Sequence, residues 1–543
     1  MRKKEWPARA LLLALLAATC GPLASCVSYD YSSASDYIGP ASQPTTQPAP
    51  LTALTAPASC PASQPATQPA GPISVTVNEA ILRTLESNQS LIVQRFNPQI
   101  SRTGVDVQRA AFDPTFTSSF SGSRNQTASA GNAGPSPSAS DSATGLIALQ
   151  EFLPTGTTIV GNLRTNFLQN DPDQFNSRVG LTVTQSLLKG FGLDVNLASL
   201  RQAKLDVLSS QYELRGFAQN LVAQTEQTYW DYVLAQRQIE IVSQSLQLAQ
   251  GQRDETIERI RVGQLAETEL AAAEATVAQR NQDLIAARNA LATTKLQMLR
   301  LLSPSGPDAL TRDLILRDQP TVPDIDLGPV NEHVQLADRL RPELNQARLQ
   351  INRGELDIVK TRNGLLPQLD LFVTLGRTGY ANSFGPSLND ISHGTSYDVQ
   401  TGLAISYPPL NRAAQASYHR SVLSRDQSLE ALSNLTQLAE QDVRTAYLNV
   451  ATARELVPAT AVTRKFQEET VRAEMEKFRV GRSTTLLVGQ AQQSLLVSQI
   501  AEVQAVAAYL KALVELYLQE GSLLERHGLQ SPGGQAVQLA PLR

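Results

Sequence analysis

The sequence of 543 residues has few aromatic residues, few cysteines and no long apolar segment after its N-terminus. Phe, Trp and Tyr make up only 5% of the chain, which argues against one large globular core and favours long helices with polar faces. No later segment reaches the roughly 18 consecutive apolar residues of a membrane-spanning helix, so a helical membrane protein is excluded. Two of the three cysteines lie in the N-terminal leader, which excludes a disulfide framework.

The chain also has little net charge and few catalytic motifs. The formal net charge of −4 argues against a nucleic-acid partner. The four histidines are scattered, and no nucleophile lies beside a base. We therefore expect no metal site, no cofactor and no enzymatic activity. A Gly-x-x-x-x-Gly-Lys phosphate loop is missing, so the energy for any transport would have to come from another protein.

The N-terminal segment has the pattern of an export signal, which we place at residues 1–25. Arg2, Lys3 and Lys4 precede a short apolar stretch. The following Leu23-Ala24-Ser25-Cys26 resembles a bacterial lipobox and predicts a palmitate-bearing lipoprotein acylated at Cys26; ordinary cleavage nearby is the alternative. Val27, where an Asp would retain a lipoprotein at the inner membrane, favours the outer membrane. Acyl chains contribute about 0.8 kcal/mol of membrane affinity per buried CH₂.

Residues 26–72 are rich in Pro, Thr and Gln, and the octapeptide at 42–49 recurs nearly intact at 63–70. Such a composition cannot bury a core, so we interpret the segment as a lipidated, extended tether.

The distribution of proline predicts where long helices lie. None of the 30 prolines falls within 173–303 or within 459–531. Proline removes an amide and clashes with the preceding helical turn, so these gaps are where long helices can lie. Residues 193–302 are rich in helix formers, with one break at Arg261-Val262-Gly263-Gln264, where glycine suits a left-handed turn. The helix before this break would hold roughly 65 residues and measure on the order of 100 Å.

An internal repeat links the two halves of the chain. Arg261-Val262-Gly263 recurs 218 residues later as Arg479-Val480-Gly481. Farther upstream the separation of matching residues grows to 222 and then to 253. This ordered change indicates a duplication with two differences in length. We predict a first repeat at 73–303, a linker at 304–329, a second repeat at 330–526 and a disordered tail at 527–543. The long helices would lie within 193–302 and 410–525.

Between the helices of each repeat the apolar residues recur at every second position. Leu369, Leu371, Val373 and Leu375 alternate with polar neighbours, and similar runs place strands within 112–188 and 367–407. Strands of ~9–11 residues with one apolar face fit the wall of a transmembrane barrel, although a soluble half-buried sheet would show the same alternation.

Three segments between these strands need their own interpretation. Gly-, Ser- and Asn-rich residues at 121–143 and at roughly 377–396 predict long outer loops. Strand-like runs at 146–152 and 157–167 flank a Leu-Pro-Thr-Gly segment, which suggests additional strands in the first repeat.

The order helix, strand, loop, strand, very long helix, glycine turn and helix, present twice behind a lipobox, resembles the TolC-type outer membrane efflux protein family. The resemblance covers about residues 73–526. The residues that carry it are Phe112-Asp113-Pro114, Leu366-Pro367, Gln185-Ser186-Leu187-Leu188 and the paired Arg-Val-Gly turns.

The resemblance implies a mainly α fold with a β-barrel part. Three chains would form a homotrimer, in which four strands per protomer build one shared outer-membrane barrel and the helices build a periplasmic tunnel. The implied function is a passive exit duct of a tripartite efflux or type I secretion system, which receives its substrate from an inner-membrane RND or ABC pump and a periplasmic adaptor. The alternative is a structural coiled-coil lipoprotein that spans the periplasm.

The resemblance also implies functional residues at the helical turns. The candidates for adaptor docking are Val262, Gly263, Gln264, Val480, Gly481 and Arg482. The glycines could instead serve the turn alone. We also expect Glu269 and Arg482 to link at the periplasmic aperture, with solvated surface charges as the alternative. Leu487 and Gln490 replace the family's acidic ring, and Pro458 predicts a bend or break in the second long helix.

Overall fold

The structure is a computed structural model that describes residues 72–131, 134–169, 173–304, 309–323, 325–529 and 536–539. The export signal, Cys26 and most of the tether therefore lie outside the described residues. Side chains are described for all of these ranges except 127–131 and 134–139.

Two long helical pairs dominate the described chain. In the first repeat, α5 has 64 residues and α6 has 35; in the second, α10 has 68 and α11 has 35. The helices are α1 (Val77–Ser87), α2 (Gln89–Gln94), α3 (Phe96–Arg109), α4 (Leu193–Asn196), α5 (Ala198–Arg261), α6 (Thr268–Leu302), α7 (Val330–Leu340), α8 (Pro342–Asn363), α9 (Phe384–His393), α10 (Arg412–Arg479), α11 (Thr485–Gln519) and α12 (Leu523–Arg526). Among the described residues, none of these helices is long and apolar enough to cross a membrane.

The strands form two separate sheets. Their bounds are β1 (Ile73–Val75), β2 (Thr115–Gly131), β3 (Gly134–Leu153), β4 (Thr157–Leu168), β5 (Gln174–Ser186), β6 (Leu314–Leu316), β7 (Gln368–Ala381) and β8 (Tyr397–Ser406). The large sheet is antiparallel with the order β2-β3-β4-β5-β7-β8, and β1 pairs with β6 in parallel.

The proline-free gap at 173–303 located α5 and α6 correctly, whereas the gap at 459–531 contains α11 and only the end of α10. The first rod ends at Arg261, as the Arg-Val-Gly turn predicted. Of the bend or break predicted at Pro458, the break is wrong, because α10 runs through Pro458 without interruption, and the bend stays a prediction. One lost amide hydrogen bond is a local defect, and the many intact turns on either side keep the helix continuous.

The two additional strands suggested around Leu153-Pro154 are present as β3 and β4. The predicted loop at 121–143 is wrong, because β2 and β3 pair up to Gly131 opposite Gly134. Ladder hydrogen bonds come from the backbone, so a Ser- and Gly-rich composition does not prevent pairing. Pro135 and Pro137 lie beyond the part of β3 that pairs with β4, where a missing amide is tolerated.

The predicted loop at 377–396 is also replaced in part by regular structure. β7 extends to Ala381 and α9 follows, packed on β5 and β7. Gly379 permits this contact, since a Cβ at this position would lie 2.2 Å from the Ser387 carbonyl oxygen.

The linker between the repeats contributes to the core. Its strand β6 pairs with β1, and both pack against a buried cluster in which Tyr229, Met298 and Leu299 are fully buried. In the predicted tail, the Val537 amide donates to Asn345 Oδ1 at 2.9 Å.

Candidate functional site

The large sheet has two chemically different faces. The strand register aligns residues of like character across all six strands, because side chains alternate between faces. One row on the apolar face consists of Phe116, Leu149, Gly161, Leu181, Leu375 and Val399. The adjacent row on the opposite face consists of Thr117, Ala148, Asn162, Gly180, Gly376 and Asp398.

The apolar face is open to its surroundings in the single chain. Leu149 is 54% exposed, Leu403 66% and Ile405 74%. Tyr397 and Tyr407 stand on this face near the two ends of β8 and are also exposed. Ten residues of strand span ~33 Å, which at a tilt of about 40° covers the ~25 Å apolar band of an outer-membrane barrel. The face therefore has the chemistry and height to contact lipid, with an aromatic residue at each boundary.

The polar face carries an ion pair that crosses a strand. Arg178 of β5 donates from Nε to Asp398 Oδ1 of β8 at 3.1 Å and bonds Oδ2 through Nη2. Gly376 of β7 lies beneath the pair, since a Cβ there would fall 2.5 Å from Asp398 Oδ1 and 2.6 Å from Arg178 Nη2. Sequence reasoning missed this pair, because only the register brings residues 220 positions apart together.

The two glycine turns have the same geometry. Gly263 has φ 74° and Gly481 has φ 72°, both in the left-handed region. The Gln264 amide bonds the Arg259 carbonyl at 2.8 Å, and the Arg482 amide bonds the Lys477 carbonyl at 2.8 Å. These are the bonds of a Schellman motif, which satisfies the last carbonyls of the long helix.

The turns lie side by side at the far end of the rods, and the structure leaves their residues uncovered. Arg259 donates from Nη1 to the Phe478 carbonyl at 3.2 Å and lies over the Phe478 ring, so it joins the two turns. All six predicted docking residues are exposed, with Val262 at 61% and Val480 at 69%.

The expected aperture link is not formed within this chain. Glu269 accepts from the Thr485 amide at 3.1 Å, at the N-terminus of α11, where the helix dipole favours a carboxylate. Among the described residues, no ion pair joins Glu269 to Arg482 of the same chain. A link between neighbouring chains stays a prediction. Close by, the Lys477 ammonium and the Ser483 hydroxyl hold the pKa of Glu474 below its ordinary value.

A polar clasp ties β1 and β6 to the middle of α5. The Tyr229 hydroxyl lies 3.4 Å from both the Val75 carbonyl oxygen and Asp318 Oδ2, and it accepts from the Asp318 amide at 3.2 Å. Asp318 Oδ2 also accepts from the Val77 amide at 2.7 Å. Burial raises the pKa of the Tyr229 phenol to about 12. No sequence pattern indicates this clasp beyond the recurrence of the tyrosine at position 447.

The described residues contain no group of three or more His, Cys, Asp or Glu side chains placed to hold a metal ion. The described chain presents three distinct surfaces: an apolar sheet face, a polar sheet face and an exposed pair of helical turns. An antiparallel sheet of this kind on long helical rods defines the class of outer-membrane channels with a periplasmic helical extension.

Comparison with known proteins gives the family. The model of the family described as "Outer membrane efflux protein" matches residues 80–303 and 333–522. The chain belongs to this family. A curated relative is the outer membrane efflux protein BepC of Brucella suis biovar 1 (strain 1330), 23% identical over 435 residues, which cover 80% of this chain and 82% of the relative.

Solved structures share the fold. The outer-membrane channel OprN has a TM-score of 0.63 and 17% identity, over 82% of this chain and 90% of that one. The CmeC outer membrane channel of Campylobacter jejuni has a TM-score of 0.62 and 18% identity, over 82% and 86%. The family and the mainly α fold with a strand sheet, predicted from the sequence, are thereby confirmed.

Proposed function

We propose that this chain is one protomer of a passive exit duct in the outer membrane, serving a tripartite efflux or type I secretion system. The observation that carries the proposal is the two-faced sheet joined to rods of 64 and 68 residues. A spacer lipoprotein needs the rods but has no use for an exposed apolar sheet face, so the structural alternative is disfavoured.

Closure requires other copies of the chain. The sheet of one chain has two free edges, β2 and β8. Lipid cannot satisfy unpaired backbone groups, and six strands are fewer than the eight of the smallest outer-membrane barrels, so these edges must pair with those of neighbouring chains. A homotrimer in which β8 of each copy pairs with β2 of the next would leave no edge open, with the apolar face toward lipid and the polar face toward the lumen.

The rods support docking to a partner below the membrane. At 1.5 Å per residue, a helix like α5 extends on the order of 100 Å, so the turns lie far from the sheet. We assign the docking of a periplasmic adaptor, coupled to an RND or ABC pump of the inner membrane, to the exposed turns at 262–264 and 480–482.

Lipidation at Cys26 fits the position of β1. Val75 contacts Tyr229, which lies 31 residues into α5 from Ala198, or about 47 Å from the sheet end of the rod. The tether of 26–72 reaches well beyond that distance when extended, at about 3.1 Å per residue. An anchor in the outer membrane is therefore compatible with the clasp at mid-rod.

Single-channel recording of the purified full-length protein in a planar bilayer tests the duct. We expect discrete, long-lived conductance steps. Protein that is released from membranes without detergent and forms no pores would contradict the proposal.

The docking assignment has its own variants. Gly263→Trp and Gly481→Trp should abolish export while oligomers and pores persist. Gly251→Trp is the matched control, because Gly251 lies exposed in α5 with open space around its Cβ position. Gly263→Asn keeps a residue that tolerates the left-handed turn, so it separates loss of the turn from loss of docking. Normal export by both Trp variants would refute the assignment.

A further inference from the structure

The first repeat contributes two strands that the second repeat lacks. Pro114, before β2, matches Pro367, before β7, at a separation of 253, whereas Gly180 of β5 matches Gly402 of β8 at 222. The first repeat therefore holds 31 additional residues between its matched strands, the difference between these two separations. The additional strands are β3 and β4.

The additional hairpin is part of the sheet wall. β3 pairs with β2 and β4 pairs with β5 along their lengths, and both keep the same division of faces. Leu149 lies on the apolar face between Phe116 and Gly161, and Asn162 on the polar face opposite Gly180. A hairpin folded into the lumen or onto the outside would break these rows.

The turn of the hairpin is fixed at the base of the wall. The Ser186 amide donates to the Gly156 carbonyl at 3.1 Å, and Asn196 Nδ2 bonds both the Pro154 and the Gly190 carbonyls. Gly156 has φ 87°, and a Cβ there would lie 2.3 Å from the Gly190 oxygen. The turn is thus built to sit against the junction of β5 with the helices.

We propose that the assembled duct has a barrel of eighteen strands, six from each of three copies, with a porin-like water-filled bore in the outer membrane. This inference rests on the proposed function. An even number of strands per copy makes β8 antiparallel to β2 of the next copy, so the ladder closes without a parallel pair.

The added strands change the width of the exit. With strands about 4.8 Å apart and tilted about 40°, eighteen strands give a backbone diameter of about 36 Å, against about 24 Å for twelve. Inward side chains reduce these to bores of roughly 26 Å and 14 Å. The membrane section of this duct would therefore pass bulky hydrated cargo that a twelve-strand barrel would hold back.

Polymer exclusion measures the bore directly. Neutral polyethylene glycols are added to the extracellular side only, so that they probe the barrel and not the helical tunnel. Deletion of 134–168 removes β3 and β4, joins β2 to β5 and leaves four strands. Thr115 of β2 then replaces Val160 of β4 beside β5, at the same height in the sheet and with its side chain on the same face. Replacement of 127–138 by Asn-Gly is the matched control, because it shortens β2, β3 and the connection between them but keeps six strands.

We expect the largest polymer that enters to fall from about 26 Å to about 14 Å in diameter in the deletion variant, and to stay unchanged in the control. Equal cut-offs in the deletion variant and the full-length protein would overturn the inference. Absence of any pore in the full-length protein would instead refute the proposed function.

Crosslinking of the complete six-stranded chain keeps the inference falsifiable if the deletion variant does not fold. In a Cys60→Ser background, Val399→Cys in β8 is combined with a cysteine at 116, 118 or 120 in β2, or at 159, 161 or 163 in β4. The inference predicts covalent dimers with β2 positions alone. Dimers with β4 positions would make β4 the edge strand and place β2 and β3 outside the wall, which would overturn the inference.

Discussion

The clasp between β1, β6 and α5 predicts the effect of removing one oxygen atom. In Tyr229→Phe the Asp318 amide loses its acceptor and Val75 and Asp318 lose a shared donor. The phenol is fully buried. The three hydrogen bonds are long, at 3.2–3.4 Å between donor and acceptor atoms. We therefore expect their removal to lower the free energy of local opening by about 1.4 kcal/mol. This corresponds to roughly tenfold more frequent opening of the three-residue ladder.

Amide hydrogen exchange of the detergent-solubilised protein measures this opening. Exchange at Ile73–Val75 and Leu314–Leu316 should accelerate about tenfold, with the rods unchanged. Tyr447→Phe is the matched control from the second repeat, because Tyr447 occupies the equivalent position and donates instead to the Gly328 carbonyl at 3.0 Å. Unchanged exchange at β1 in Tyr229→Phe, or equal acceleration in the control, would refute the reasoning.

Three further predictions concern Tyr229 and two other buried side chains. The raised pKa of Tyr229 means that its contribution to the clasp is complete below pH 10 and is lost as the pH rises toward 12. The protection factor of the β1 amides, which corrects for the base-catalysed intrinsic exchange rate, should fall over that window in the wild type and not in Tyr229→Phe. Arg215→Met should lower the free energy of unfolding by about 2 kcal/mol, because the Arg215 side chain is fully buried. Its partner Glu525 is half-exposed, so Glu525→Gln should lower the free energy of unfolding by less than about 1 kcal/mol. Equal losses of stability in thermal melts of the two variants would contradict this. His333→Ala should lower the free energy of unfolding by about 3 kcal/mol, because it removes one partner of the fully buried Glu520 carboxylate. His419 is exposed, so His419→Ala should change the free energy of unfolding by less than about 0.5 kcal/mol.

The parts of the fold that local chemistry determines were predictable from the sequence. The proline-free stretch at 173–303 located α5 and α6, since proline disfavours a helix interior. It did not locate α10, which contains Pro458. The repeated Arg-Val-Gly motif located both turns, where the observed positive φ of Gly263 and Gly481 requires glycine or a residue that tolerates that conformation. Alternation located the strands of the second repeat, because their apolar face is continuous.

The remaining features depend on contacts between distant parts of the chain. The Ser-rich stretch of β2 and β3 has little apolar alternation, and its pairing comes from backbone bonds that composition does not reveal. The clasp joins Val75, Tyr229 and Asp318, and the ion pair joins Arg178 and Asp398 across an intervening strand. Helix packing brings the residues of the clasp together, and strand register brings Arg178 and Asp398 together. Helix α9 was missed because its ten residues include Gly, Pro, Ser, Asn and Asp, which are typical of loops.

The most direct test of the account asks which face of the sheet meets water. Thr182 lies on the polar face of β5 and Leu181 on its apolar face. In a Cys60→Ser background, Thr182→Cys and Leu181→Cys are exposed to a membrane-impermeant, positively charged thiol reagent during single-channel recording. The account predicts rapid modification and reduced cation current for Thr182→Cys, and no effect for Leu181→Cys. Modification of Leu181→Cys with Thr182→Cys unaffected, or equal reactivity of both, would contradict the assignment of the polar face to the lumen.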